Sequence, residues 1–143
     1  MSTPNIHTHF YFEGTFHQKT PHDKQQKMLE NLAQWFSVKT KTCCRIFYGT
    51  EIGSHKHCHG VITTNGPLNR DITPYKIQQA WFHISKGRIM PTCASFDEGR
   101  SKTYLFKKHQ PDFTGGCCKR GRCRRKPCEY SLVREDFLKH FID

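Results

Sequence analysis

The amino-acid sequence predicts an α+β fold in which helices flank a central antiparallel sheet. In some segments apolar and polar residues alternate, a pattern that is typical of half-buried strands. In others apolar residues recur every three or four positions, as on one side of an amphipathic helix. Two strand-like segments are separated only by a short turn, which predicts a hairpin and therefore antiparallel pairing. The 143 residues suffice for one such domain and are too few for two well-buried ones.

The first strand and the first helix are predicted by a change of hydrophobic period. Residues 8–16 alternate, with one face formed by Phe10, Phe12 and Phe16 and the other by His9, Tyr11, Glu13 and Thr15. Between residues 21 and 38 the spacing becomes three and four, at Met28, Leu32, Trp35 and Phe36. We therefore expect a strand followed by an amphipathic helix.

The predicted hairpin follows this helix. Residues 43–50 are rich in strand-forming side chains, and a second strand is expected from about residue 56 to residue 64. Gly49 and Gly53 bracket Glu51 in the turn between them. The second strand ends at Asn65-Gly66-Pro67.

The second half of the chain is predicted to alternate helix, strand and helix. Thr73 and Pro74 have the residue types of an N-cap and a first helical position, and Gly87 closes the helix. A shorter strand is expected over residues 88–96, and Asp97 can cap a helix that continues to about residue 109.

Pro111 and the pair Gly115-Gly116 mark the end of the compact part of the chain. We therefore divide the sequence into a core, residues 1–113, and a basic, cysteine-rich segment, residues 114–143. Apolar residues in this segment have near-helical spacing over residues 130–142, so a C-terminal helix is expected to pack on the core or extend it.

The balance of charge points to a polyanionic partner. The chain has 23 Lys and Arg against 12 Asp and Glu, a formal net charge of +11, which attracts nucleic acid from a distance. It contains neither a long apolar run nor a readable secretory signal, so we expect an intracellular, soluble protein that is not secreted and does not bind a membrane. The eight cysteines are accordingly expected to be reduced.

Two histidines in the second hairpin strand predict a metal site. Residues two apart on a strand share a face, so His57 and His59 present two imidazoles together, and Glu51 in the preceding turn can add a carboxylate. Three protein ligands leave the coordination sphere open for water or a phosphate oxygen. An exposed strand that merely carries polar residues is the alternative, and a register different by two would pair His55 with His57.

The helix predicted over residues 97–109 carries a candidate nucleophile. Tyr104 shares a helix face with Lys107 and Lys108, where an ammonium can lower the pKa of the phenol or hold a phosphate. Tyrosine needs such help because its ordinary pKa is about 10. The alternative is an aromatic side chain that packs at the edge of the core.

Taken together, these motifs resemble those of the HUH endonucleases. A His-x-His strand preceded by an acidic residue, followed later by a helix with Tyr-x-x-Lys or Tyr-x-x-x-Lys, is similar to the replication-initiator (Rep) nuclease domain of small single-stranded DNA viruses, circular-genome or parvovirus-like. The resemblance covers about residues 8–113, and Cys58 takes the usual hydrophobic position between the histidines. Lys107 matches the circular-virus spacing and Lys108 the parvovirus spacing.

This resemblance implies an HUH/RRM-like sheet of about five strands and a specific activity. Glu51, His57 and His59 would hold Mg²⁺ or Mn²⁺, and Tyr104 would attack origin DNA to give a 5′-phosphotyrosyl enzyme and a free 3′-hydroxyl that can rejoin strands. The implied partners are single-stranded DNA and origin hairpin or duplex DNA. Relatives usually join this nuclease to a helicase domain, and they act in the nucleus of the infected cell.

The basic segment has two further interpretations. Residues 117–126 contain six cations that can bind phosphates, namely Lys119, Arg120, Arg122, Arg124, Arg125 and Lys126. Four cysteines have the count for a structural Zn²⁺ site without Cys-x-x-Cys spacing, namely Cys117, Cys118, Cys123 and Cys128. A noncatalytic, zinc-stabilised nucleic-acid-binding module is therefore the alternative to an enzyme.

Overall fold

The computed structural model of the chain describes residues 6–16, 20–51, 57–85, 92–95, 110–115 and 134–141. These residues form five strands and three helices. In chain order they are β1 (His7–Thr15), α1 (His22–Thr40), β2 (Cys44–Glu51), β3 (His57–Thr64), α2 (Pro74–Ile84), β4 (Thr92–Ser95), β5 (Gln110–Gly115) and α3 (Arg134–Phe141).

The centre of the fold is an antiparallel sheet in which β3 lies between β1 and β2. Strands β2 and β3 are the predicted hairpin, and β1 pairs with the other edge of β3. Strand β4 is hydrogen-bonded to β1 and β5 to β2, which gives the order β4-β1-β3-β2-β5. The three central strands with α1 and α2 confirm the predicted α+β class and its antiparallel pairing.

Helices α1 and α2 cover one face of this sheet. The strands contribute the alternate positions that the sequence predicts to be apolar, and the helices contribute leucine, phenylalanine and tryptophan side chains; the largest buried members are Phe12, Leu29, Leu32, Phe36, Ile46, Tyr48, Ile62, Ile77 and Trp81. Trp81 of α2 makes edge-to-face contacts with Phe12 and Phe16 of β1. Because these side chains are buried against the helices, the alternate residues of each central strand lie on the opposite face of the sheet.

The N-terminus of α2 forms as its sequence predicts. The Thr73 side chain accepts a hydrogen bond from the Lys76 backbone N–H at 3.3 Å, and Pro74 occupies the first helical position. The cap satisfies one of the backbone donors that a helix leaves without an internal partner. A defined start of α2 sets the position of Trp81 against β1.

Strand β5 differs from what the sequence predicts. Pro111, interpreted as a boundary, lies opposite Gly49 of β2 within a paired strand. Proline lacks a backbone N–H, and a strand with a neighbour on one side only tolerates that loss. Residue 113 lies within β5, and α3 contacts β5. The division of the chain at residue 113 stays a prediction.

The remaining predicted elements are described in part. Strand β4 falls within the predicted residues 88–96, and α3 falls within the predicted C-terminal helix. The helix predicted over residues 97–109 lies outside the described residues. Among the described helices, none has the length and apolar character that a membrane crossing requires.

Candidate functional site

The predicted metal ligands occupy one end of the central sheet. Glu51, predicted to lie in the turn, is instead the last residue of β2 and the direct partner of His57, the first residue of β3, in the antiparallel register. His59 is two positions further along β3. Both histidines therefore belong to the same strand, whereas His55, the other candidate for the pair, lies outside the described residues.

The spacing of these three positions is compatible with a shared divalent cation. Positions two apart on a strand are separated by about 6.6 Å, and Cβ atoms of directly opposed residues by about 4.5–5.5 Å. Carboxylate oxygen suits Mg²⁺ and Mn²⁺, whereas imidazole nitrogen is more typical of transition metals such as Zn²⁺. The register thus fits a divalent cation, and the carboxylate is the ligand that suits the Mg²⁺ or Mn²⁺ that the resemblance implies.

The described side chains alone do not contain that complete set. No three His, Cys, Asp or Glu side chains among them come together as a metal site. Those of Glu51 and His57 are not among the described side chains, so the assignment of these residues as metal ligands stays a prediction.

His59 is held by two residues of β1 that sequence reasoning missed. Its Nδ1 is hydrogen-bonded to the Tyr11 hydroxyl, and the two rings stack with centroids 5.9 Å apart at 29°. Glu13 is the register partner of His59 and places its carboxylate oxygen Oε2 3.9 Å from the same nitrogen. One ring nitrogen of His59 therefore faces both a phenol and a carboxylate.

This cluster of Tyr11, Glu13 and His59 lies on the sheet face turned away from α1 and α2. Phe47 and Val61 on the same face are fully buried and His59 is 6% exposed, whereas 38% of the Glu13 side chain is accessible. Glu13 is therefore the most accessible side chain of the cluster, while the ring of His59 is shielded from water.

The sequence contains a partial signal for these two residues. The alternation of β1 puts Tyr11 and Glu13 on the strand face opposite the phenylalanines, but it does not say which residue of another strand each would meet. That register depends on a shift between Thr8 and Phe10 in the pairing with β3. His9, at this irregularity, has its Nε2 2.7 Å from Thr64 Oγ1, so it serves packing in the sheet.

Cys58, between the two histidines, is a buried thiol on the core side of β3. It is completely inaccessible and belongs to the hydrophobic core, which confirms the interpretation that a small buried thiol fills this position. Burial, opposed in part by a hydrogen bond with the Gly14 backbone, raises the pKa of the Cys58 thiol to about 12. The side chain is therefore protonated at neutral pH and does not supply a thiolate ligand.

We expect the stability contributed by Cys58 to be lost at alkaline pH. Because the pKa of the thiol is higher in the folded chain than its ordinary value of 9.0, the contribution is complete below about pH 9 and declines as the pH rises toward about 12. The measurement is the free energy of unfolding of the wild type and of Cys58→Ala between about pH 8 and pH 11.

Other alkaline groups titrate in both proteins, so the difference between the two isolates Cys58. The advantage of the wild type should shrink steadily with rising pH. A difference that stays constant over this range would show that the thiol ionises equally in the folded and unfolded chains.

The other predicted site residues lie outside the described residues. They are the nucleophile and its lysines, Tyr104, Lys107 and Lys108; the basic side chains Lys119, Arg120, Arg122, Arg124, Arg125 and Lys126; and the candidate zinc ligands Cys117, Cys118, Cys123 and Cys128. Their roles remain predictions from the sequence.

Comparisons with known proteins add no assignment to this geometry. No protein-family model, curated protein or solved structure matches the chain.

Proposed function

We propose that this chain is a replication-initiator endonuclease that nicks and rejoins single-stranded origin DNA. The proposal includes the complete HUH/RRM-like arrangement, a five-stranded sheet that presents metal ligands on its central strand. It also includes action in the host nucleus, where such origins are replicated, and a helicase domain as a possible neighbour in a longer protein.

One observation carries the proposal. The acidic residue and the two histidines that the sequence motif requires occupy adjoining positions of the sheet, with Glu51 directly opposite His57 and His59 on the same strand. That register places three potential donor side chains where they can share one cation. The polar surroundings of His59 Nδ1 add support, because metal-binding histidines are commonly held through the second ring nitrogen.

The proposed chemistry is a transfer of phosphorus from a sugar oxygen to a phenolic oxygen. Mg²⁺ or Mn²⁺ at Glu51, His57 and His59 would supply electrostatic stabilisation of the scissile phosphate. Tyr104 loses its proton and its oxygen bonds to phosphorus, the bond from phosphorus to the 3′-oxygen breaks, and that oxygen takes up a proton. Lys107 or Lys108 would stabilise the phenolate or bind a phosphate oxygen.

The product retains the capacity to rejoin the strand. A phosphotyrosyl diester keeps the energy of the broken phosphodiester, so attack by a 3′-hydroxyl reverses the step without ATP. The basic residues between positions 119 and 126 would hold the DNA by salt-dependent phosphate contacts while this occurs.

The test is covalent capture of DNA by the purified chain. We expect incubation with Mn²⁺ and single-stranded oligonucleotides from several viral origins to produce a protein–DNA adduct that resists SDS. Tyr104→Phe should abolish the adduct, because it removes only the attacking oxygen. Tyr75→Phe is the matched control, since Tyr75 is an exposed tyrosine of α2.

The opposite result would favour the alternative function. Absence of any adduct over the set of origins, with one Zn²⁺ per chain by elemental analysis, would indicate a noncatalytic nucleic-acid-binding module. An adduct that persists in Tyr104→Phe would place the nucleophile elsewhere.

A further inference from the structure

Tyr11 and Glu13 of β1 both lie close to Nδ1 of His59, which is a predicted metal ligand. Tyr11 is 5% exposed and sits diagonally from His59 across the strand pair, since it faces Val61, the position two beyond His59. Stacking of the two rings and the hydrogen bond to Nδ1 fix the rotation of the imidazole. Glu13 approaches the same nitrogen from the position directly opposite His59 on β1.

The position of the Glu13 carboxylate determines whether Tyr11 or His59 donates this hydrogen bond. A hydrogen bond between a phenol and an imidazole nitrogen can run in either direction. If Tyr11 donated, the lone pair of Nδ1 would face the negative Glu13 oxygen at 3.9 Å. If instead Nδ1–H donates to the Tyr11 oxygen, the positive end of the N–H bond is near that carboxylate, which is the favourable electrostatic arrangement.

We propose that Tyr11 and Glu13 are positioning residues that keep His59 in the Nδ1–H tautomer, so that Nε2 is the atom that binds the divalent cation. The inference rests on the proposed function, because it specifies which nitrogen of His59 binds the divalent cation of the proposed nuclease. It extends that function to two residues that are absent from the Glu-His-His set. Nothing in their sequence spacing assigns them to the site, since they lie more than 40 positions from His59.

The experiment measures the tautomer in the metal-free protein and the affinity for Mn²⁺ separately. Two-bond ¹H–¹⁵N correlation spectra of histidine-labelled protein, at a pH of about 8, report which ring nitrogen of His59 carries the proton. Electron paramagnetic resonance of free Mn²⁺ gives the binding constant. Tyr11→Phe and Glu13→Gln are compared with the wild type, and the matched controls are Tyr75→Phe on α2 and Glu135→Gln on α3.

We expect the wild type to show a protonated Nδ1. Both test variants should shift the population toward Nε2–H and weaken Mn²⁺ binding by about 10- to 100-fold, the range typical for loss of a group that orients a metal ligand. The controls should change neither quantity. A merely structural role would lower thermal stability without moving the tautomer.

The failures of this inference and of the proposed function are distinguishable. A wild type with Nε2 protonated, or variants that bind Mn²⁺ as tightly as the wild type, would overturn the positioning role while the adduct assay still supports the nuclease. A wild type that binds no Mn²⁺ and forms no adduct would overturn the proposed function and this inference with it.

Discussion

Replacement of His57 by alanine or of Glu51 by glutamine is expected to slow adduct formation by about 10²- to 10³-fold at limiting Mn²⁺. The two residues are register partners, so each change removes one of the three proposed ligands from the same place in the sheet. Loss of a group that stabilises charge in the transition state has an effect of this size. The rate of phosphotyrosyl adduct formation, followed over a series of Mn²⁺ concentrations, is the measurement.

The dependence on Mn²⁺ separates a ligand from a nucleophile. A missing ligand weakens binding, so high Mn²⁺ should restore part of the rate in His57→Ala and Glu51→Gln, whereas no concentration should restore Tyr104→Phe. His83→Ala and Glu135→Gln are the matched controls, because both side chains are exposed and belong to helices, not to the strands that carry the proposed ligands.

A second comparison tests the choice of histidines. His55→Ala should leave the rate near that of the wild type if His57 and His59 are the pair. If His57→Ala keeps its rate while His55→Ala loses it, the motif has been assigned to the wrong residues. Equal rates for all variants at every Mn²⁺ concentration would contradict a metal site at this end of the sheet.

The central strands and helices α1 and α2 could be predicted because each has a strong local signal in the sequence. Alternation marks β1, spacing of three and four marks α1, and the Thr73-Pro74 pair marks the start of α2. Strand β5 has no comparable signal, since Pro111 and the glycines near it are typical of a turn. Its pairing with β2 is a tertiary contact between distant segments, which local composition does not encode.

The candidate site shows the same division between local and long-range information. The predicted pairing of His57 with His59 follows from neighbours on one strand and needs no knowledge of the fold. The contact of Tyr11 and Glu13 with His59 joins segments 46 to 48 residues apart and depends on the register of β1 against β3. Alternation assigns each residue of β1 to one face of the strand. The register shift near His9 determines which residues of β3 those residues oppose.

Gly14 of β1 is expected to tolerate no side chain, because the indole of Trp81 occupies the space above it. A Cβ added at Gly14 would lie 2.7 Å from Cζ of Phe12 and 2.9 Å from Cε2 of Trp81. Both rings are fully buried, and Trp81 makes edge-to-face contacts with Phe12 and Phe16, at centroid distances of 5.1 and 5.4 Å. In a close-packed core these rings have little room to move.

Gly14→Ala should consequently lower the free energy of unfolding by about 2 kcal/mol, since overpacking of a core costs about 1–3 kcal/mol, and Gly14→Val should lower it further. Urea denaturation followed by tryptophan fluorescence is the measurement. Gly66→Ala is the matched control, because an added Cβ there meets nothing within 4 Å, so its stability should stay within about 0.5 kcal/mol of the wild type.

The effect should also extend to the opposite face of β1. Relief of the contact with Trp81 can displace β1 relative to α2, and Glu13 is the residue next to Gly14 that faces His59. We therefore expect Gly14→Ala to weaken Mn²⁺ binding at temperatures where it is still folded, while Gly66→Ala leaves binding unchanged. Full stability in Gly14→Ala would mean that the rings above Gly14 can rearrange, and the coupling between the core and the site would then be absent.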